Sequence, residues 1–128
     1  MKQQEHYEQA AVMAWARERL AEGRYPELAL LFAVPNGGLR NKATAAMLKA
    51  EGVKAGVPDL WLPVPRGGYL GLVIEEKAGK GRPTPEQKAW LAALTAQGWL
   101  ALVCVGAEAT IAALEGYLRR APTAFGPG

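Results

Sequence analysis

Sulfur, imidazole and long greasy stretches are all scarce in these 128 residues. A single cysteine, Cys104, excludes an internal disulfide, and a single histidine, His6, excludes a His-rich metal centre. No apolar run approaches the roughly 18–20 residues that a membrane span requires. The opening Met1-Lys2-Gln3-Gln4-Glu5-His6 offers no apolar signal-peptide core either. A soluble, reduced, cytoplasmic domain without membrane contact is therefore expected. Any metal it used would have to be a hard cation held by oxygen. Neither sign of charge dominates. Fifteen Lys+Arg against twelve Asp+Glu leave +3, which permits a polyanionic partner without demanding one.

What the chain does have is apolar side chain for one core. Half its residues are hydrophobic and 21% are charged, which excludes a disordered chain, and the length allows one domain. The spacing of Gln9, Val12, Met13, Ala16 and Leu20 predicts an amphipathic helix over the first 22 residues, stopped by Gly23. Leu28 to Val34 reads as a buried strand running into the turn Pro35-Asn36-Gly37-Gly38. Asn41 to Glu51 reads as a helix closed by Gly52. Asp59 to Val64 and Tyr69 to Lys77 form a hairpin signature, with Pro63 marking an edge or a distortion. A helix over Thr84–Gln97, a buried strand over Trp99–Val105 and a helix over Ala107–Leu118 complete the order α-β-α-β-β-α-β-α. Both faces of the second hairpin strand are apolar, so it belongs in the middle of an α/β sandwich. Residues 1–120 are expected to form the domain, and the Pro/Gly-rich 121–128 a flexible tail.

The pattern breaks at one place. The buried strand of Leu, Val and Ile ends in Glu75-Glu76-Lys77. At period two, Glu75 and Lys77 share a face about 6.6 Å apart and Glu76 points the other way. A three-residue loop, Arg66-Gly67-Gly68, pairs Pro65 with Tyr69 and, continued, sets Asp59 opposite Glu75 with Cβ atoms roughly 4.5–5.5 Å apart. Two such carboxylates repel by about 4 kcal/mol at an effective dielectric near 20, so an ionised pair needs a cation. Lys77 could be that cation in an ordinary salt-bridge cluster. Mg²⁺ or Mn²⁺ would serve better, with the Glu76 backbone carbonyl as a third ligand and Lys77 beside a metal-bound water.

Several other features carry two readings. Thr84-Pro85-Glu86-Gln87 is a capping box, so Gln87 has a structural role whether or not it has a chemical one. Gly79-Lys80-Gly81-Arg82 lacks the ending of a phosphate-binding P-loop, but Lys80 and Arg82 could clamp a phosphate beside Lys77. Arg40, Lys42 and Lys54 are further candidates for backbone contacts that position DNA without reading bases. Cys104 reads as a small buried hydrophobe, His6 as a surface residue, and the four tryptophans as packing groups.

Gly56-Val57-Pro58-Asp59, fifteen residues, then Glu75-Glu76-Lys77 resembles the PD-(D/E)XK nuclease signature. The surroundings resemble one branch, the VRR-NUC domain, over nearly the whole chain. The matching stretches are Pro35–Arg40, Lys54–Leu60, Gly71–Lys77, Thr84–Leu91 and the strand from Trp99. An acidic Glu76 departs from the apolar residue common there. The resemblance implies a restriction-endonuclease-like α/β core, a mixed four-stranded sheet flanked by helices, and a metal-dependent, structure-selective DNA endonuclease. It makes Asp59 and Glu75 ligands of Mg²⁺ or Mn²⁺, Lys77 the catalytic lysine and Gln87 an accessory group. A first-helix glutamate completes the implied site; Glu5 and Glu8 compete, and Glu5 extends the inward face. Stand-alone relatives imply a homodimer cutting four-way junctions, with flap or nick cleavage as the nearest alternative and a DNA-binding module without catalysis as a more distant one.

Overall fold

The computed structural model describes residues 2–35 and 42–126. Helix α1 spans Lys2–Ala21 and leads through a short 3₁₀ turn, Pro26–Leu30, into strand β1, Phe32–Ala33. Helix α2 (Lys42–Ala50), strands β2 (Leu60–Leu62) and β3 (Leu72–Lys77), helix α3 (Pro85–Ala96), strand β4 (Leu100–Val105) and helix α4 (Ala107–Leu118) follow. The four strands lie in the order β1-β2-β3-β4. The first three pair antiparallel and β4 joins β3 in parallel, so the sheet is mixed, as expected.

Alternation along the strands separates two layers. Leu60, Leu62, Leu72, Ile74 and Cys104 face Val12 and Ala16 of α1 and Leu114 and Leu118 of α4, all buried in one core. The helix α3 takes no part in that cluster. The β3–α3–β4 crossover lays it on the opposite face, with Val73, Trp61 and Trp99. There Trp61 meets Trp99 edge-on at 5.2 Å and Phe32 stacks on Trp61 at 6.2 Å. The tryptophans pack. A Cβ on Gly71 would clash with the Trp99 ring, which is why a residue without a side chain stands just before β3. Gly71→Ala is expected to cost about 1–3 kcal/mol of stability by overpacking, read as a lower midpoint in urea unfolding.

Two expected buried strands differ from what is observed. The 28–34 run is not a buried strand: Tyr25 takes a left-handed φ of 49°, Pro26 starts a 3₁₀ turn, and only Leu28 and Leu31 reach the core. Phe32 and Ala33 are exposed, on an edge strand of two residues. The strand at 100–105 is not buried either, because it is the opposite edge of the sheet and leaves Val103 and Val105 half exposed.

The hairpin keeps its predicted register but not its predicted length. Leu60 pairs with Ile74 and Leu62 with Leu72, yet the strands stop there. Beyond Pro63 the backbone turns, Val64 N–H donating to the Leu62 carbonyl at 2.8 Å. The connection then finds its partners elsewhere. The Tyr117 hydroxyl donates to the Val64 carbonyl at 2.6 Å and accepts the Arg66 N–H at 3.2 Å. The start of the expected flexible tail supplies more: Gly67 N–H donates to the Ala121 carbonyl, and the Thr123 hydroxyl donates to that of Tyr69. Residues 121–123 are thus tied to the connection. Among the described residues no helix is long and apolar enough to cross a membrane.

Candidate active site

The sheet brings Asp59, Glu75 and Lys77 together on the α3 face. Continuing the β2–β3 register from Leu60↔Ile74 sets Asp59 opposite Glu75. Lys77 Nζ lies 3.6 Å from Glu75 Oε2. All three are buried, Glu75 to 1% exposure. Asp59 is held at two points of its own and at one on its neighbour. Its carbonyl accepts the Val34 N–H at 2.8 Å, its Oδ2 accepts the Glu76 N–H at 2.8 Å, and Trp61 Nε1–H grips the preceding Pro58 carbonyl at 2.9 Å. Neither Val34 nor Trp61 was recognisable as a support from the sequence, since each acts on a backbone carbonyl of the 58–59 segment.

Burial is the main force on the Glu75 carboxyl. Together with the charge and hydrogen bond of Asp59 it raises the pKa to about 8, against the opposing pull of Lys77. One ammonium does not neutralise two buried carboxyls. Glu75 Oε1 has no hydrogen-bond partner although it is buried. A divalent cation suits that orphan oxygen beside a second carboxylate. Glu76 extends the donor set through its backbone: its N–H turns to Asp59, and in an extended strand the carbonyl of the same residue points to the same side. Among the described residues no three His, Cys, Asp or Glu side chains form a metal cage. The fit is therefore to a hard ion that keeps several waters, as Mg²⁺ does.

The Glu76 side chain goes to the other face, as alternation requires. Its Oε2 accepts the Thr110 hydroxyl of α4 at 2.5 Å, and burial lifts its pKa to about 7, with Asp59, Glu8 and Glu5 adding to the rise. Glu8 is engaged nearby, accepting the Ala107 N–H at the start of α4. Glu5 carries no such bond among the described residues. A Cβ placed on Gly81 would lie 3.7 Å from both Glu5 Oε2 and Lys77 Cδ, so Glu5 reaches the rim of the site through the gap at Gly81. The Thr110–Glu76 contact was missed. An acid in the apolar-facing position of β3 was its only signal.

The remaining candidates divide. Gln87 closes the capping box, its Oε1 accepting the Thr84 N–H at 2.8 Å while its own N–H donates to Thr84 Oγ1 at 3.2 Å. Only its amide NH₂ stays available for another role. Gly56 touches the first turn of α3, where a Cβ would meet the Glu86 backbone at 2.7 Å, and this contact brings the Lys54 loop to that helix end. Lys80 and Arg82 line a cleft beside the site. Lys42 is exposed at the start of α2, with no contact among the described residues tying it to Glu75. Arg40 lies outside the described residues.

Residues 1–108 match the model of the VRR-NUC domain. A solved structure described as a VRR_NUC domain protein superposes with a TM-score of 0.79 at 33% identity, covering 93% of this chain and 91% of its own. No curated protein matches. The match spans the strands that carry Asp59, Glu75 and Lys77, and the fold agrees over nearly its whole length; the chain belongs to the VRR-NUC family of PD-(D/E)XK nucleases.

Proposed function

We propose that this nuclease-family domain is a Mg²⁺- or Mn²⁺-dependent, structure-selective endonuclease that hydrolyses phosphodiester bonds of branched DNA. The observation that carries the reading is the buried Glu75 carboxyl beside Asp59, one oxygen of which meets Lys77 while the other has no partner. Asp59, Glu75 and the Glu76 carbonyl would hold the ion. The ion would supply charge neutralisation at the scissile phosphate and lower the pKa of bound water. Lys77 stabilises charge that develops on the phosphate and orients the attacking water. Glu5 and Gln87 adjust this arrangement from the first and third helices. Lys54, Lys80 and Arg82 hold the DNA backbone, joined by Arg40 and Lys42.

A domain of this size covers only part of a branched DNA. Two symmetric cuts across a four-way junction need two copies, so the proposed unit is a homodimer. Flap or nick cleavage uses the same chemistry with one copy. The test is cleavage of labelled four-way, flap and nicked substrates in Mg²⁺, Mn²⁺ and Ca²⁺, with the mass of the protein–DNA complex measured in parallel. Asp59→Ala is expected to lower the cleavage rate at least ~10³-fold, since a ligand and a charge leave together. Binding by the unmodified chain without cleavage in any metal would instead identify a DNA-binding module.

A further inference from the structure

The chemistry above does not use the open side of β4. Val103 and Val105 stand in register with Glu75 and Lys77 on the same face, and they are 42% and 50% exposed. Helix α3 packs on this face and still leaves them open to solvent. Bare valines on a sheet edge are a hazard that proteins ordinarily cover or charge. Across from them runs the 79–83 loop with Lys80, Arg82 and Pro83, and the two walls flank an open groove of about 530 Å³. That volume lies within the roughly 300–1,000 Å³ of small-ligand sites. The cleft therefore combines an apolar wall and two cations, and its Gly81 lies beside the Lys77 stem, where an added Cβ would sit 3.7 Å from Lys77 Cδ.

Fully paired DNA cannot use this combination. A duplex shows the protein its phosphates and base edges, while the apolar faces of its bases stay stacked inside. An unpaired nucleotide offers both a phosphate for the cations and a flat apolar face for the valines and Pro83. We propose that the cleft is a subsite for one unpaired nucleotide next to the cut phosphate. The subsite rests on the nuclease reading and names the substrate feature it selects: a branch or bulge with an unpaired base, in preference to continuous duplex. Lys80 and Arg82 hold the phosphate of that nucleotide, and Val103 and Val105 receive its base.

The experiment uses a short duplex with one unpaired 2-aminopurine, and the same duplex fully paired, titrated with the whole chain in Ca²⁺. The unpaired probe is expected to change its fluorescence on binding and to bind at least ten-fold tighter. Replacing Val103 and Val105 together by serine brings the two affinities within two-fold and leaves binding of the paired duplex unchanged. A threonine pair keeps the β-branched shape, so it provides the same reading if the serine variant does not fold. Lys80→Ala with Arg82→Ala weakens binding of both DNAs. Equal affinity of the unmodified chain for the two duplexes overturns the subsite. So do valine variants that retain the preference, or that change only the oligomeric state. Parallel cleavage in Mn²⁺ separates the two claims. Cleavage without preference for the unpaired site removes the subsite and spares the nuclease; a valine-dependent fluorescence response without cleavage does the reverse.

Discussion

Replacing Glu75 by glutamine is expected to abolish cleavage, by ~10³-fold or more, while making the metal-free protein more stable at alkaline pH. The two effects share one cause. Asp59, Glu75 and Lys77 put two negative charges and one positive charge in a buried place, and the Glu75 carboxyl resists ionisation up to about pH 8. The neutral amide leaves Asp59 and Lys77 as a balanced pair. Relief of a buried charge of this kind is worth about 1–4 kcal/mol. The sign follows from proton uptake. A carboxyl whose pKa is raised from 4.5 to about 8 binds more protons folded than unfolded across that interval. Its contribution to stability is complete below about pH 4.5 and is lost as pH rises through 8. Melting curves of the metal-free protein from pH 5 to 9 should therefore fall more steeply for the unmodified chain than for Glu75→Gln. A variant that cleaves normally, or that loses stability evenly across the range, would identify an ordinary structural ion pair. Added Mn²⁺ should reverse the slope for the unmodified chain, because the cation competes with protons for the carboxylates.

Lys77→Met removes the cation and keeps much of the stem's packing. Cleavage is expected to fall by ~10²–10³-fold, the usual cost of removing one group that stabilises charge in a transition state. Stability should move in the direction opposite to Glu75→Gln. Above pH 8 the two carboxyls face each other without Lys77, and the melting temperature of the metal-free variant drops. At pH 5 Glu75 is protonated and the drop is small. Mn²⁺ should restore the melting temperature without restoring the rate. Restoration of both would show that Lys77 acts only as a counter-charge.

Much of this site is legible in the chain because it obeys a period of two. An apolar strand interrupted at Glu75-Glu76-Lys77 has few explanations, and parity alone places Glu75 with Lys77 and sends Glu76 to the far face, where Thr110 receives it. Counting back through the turn set Asp59 opposite Glu75, and the observed pairing of Leu60 with Ile74 continues to that position. The count reached the right register through a wrong loop. The residues of the turn bond to Tyr117 and to the 121–123 segment, and hydrogen bonds across 51 or more positions leave no local trace. The 28–34 run failed for a related reason: apolarity announces burial but not conformation, and Pro26 with Tyr25 diverted it into a 3₁₀ turn. Gln87 was legible in its capping role because Thr84 and Pro85 are its neighbours.

Taken alone, the amino-acid sequence determined the element order, the faces of the core helices and strands, and the placement of Glu75 and Lys77 on one face at the end of β3. Each of these follows from local periodicity, which is a property of neighbouring residues. The tertiary structure decided which strands lie at the edges, how Val34 and Glu76 grip Asp59 while Trp61 holds Pro58, and where Val103 and Val105 meet the Lys80–Arg82 loop. Those depend on which distant segments share space, and exposure on a sheet edge is written in no single segment. Apolar residues read the same whether a neighbour covers them or leaves them open.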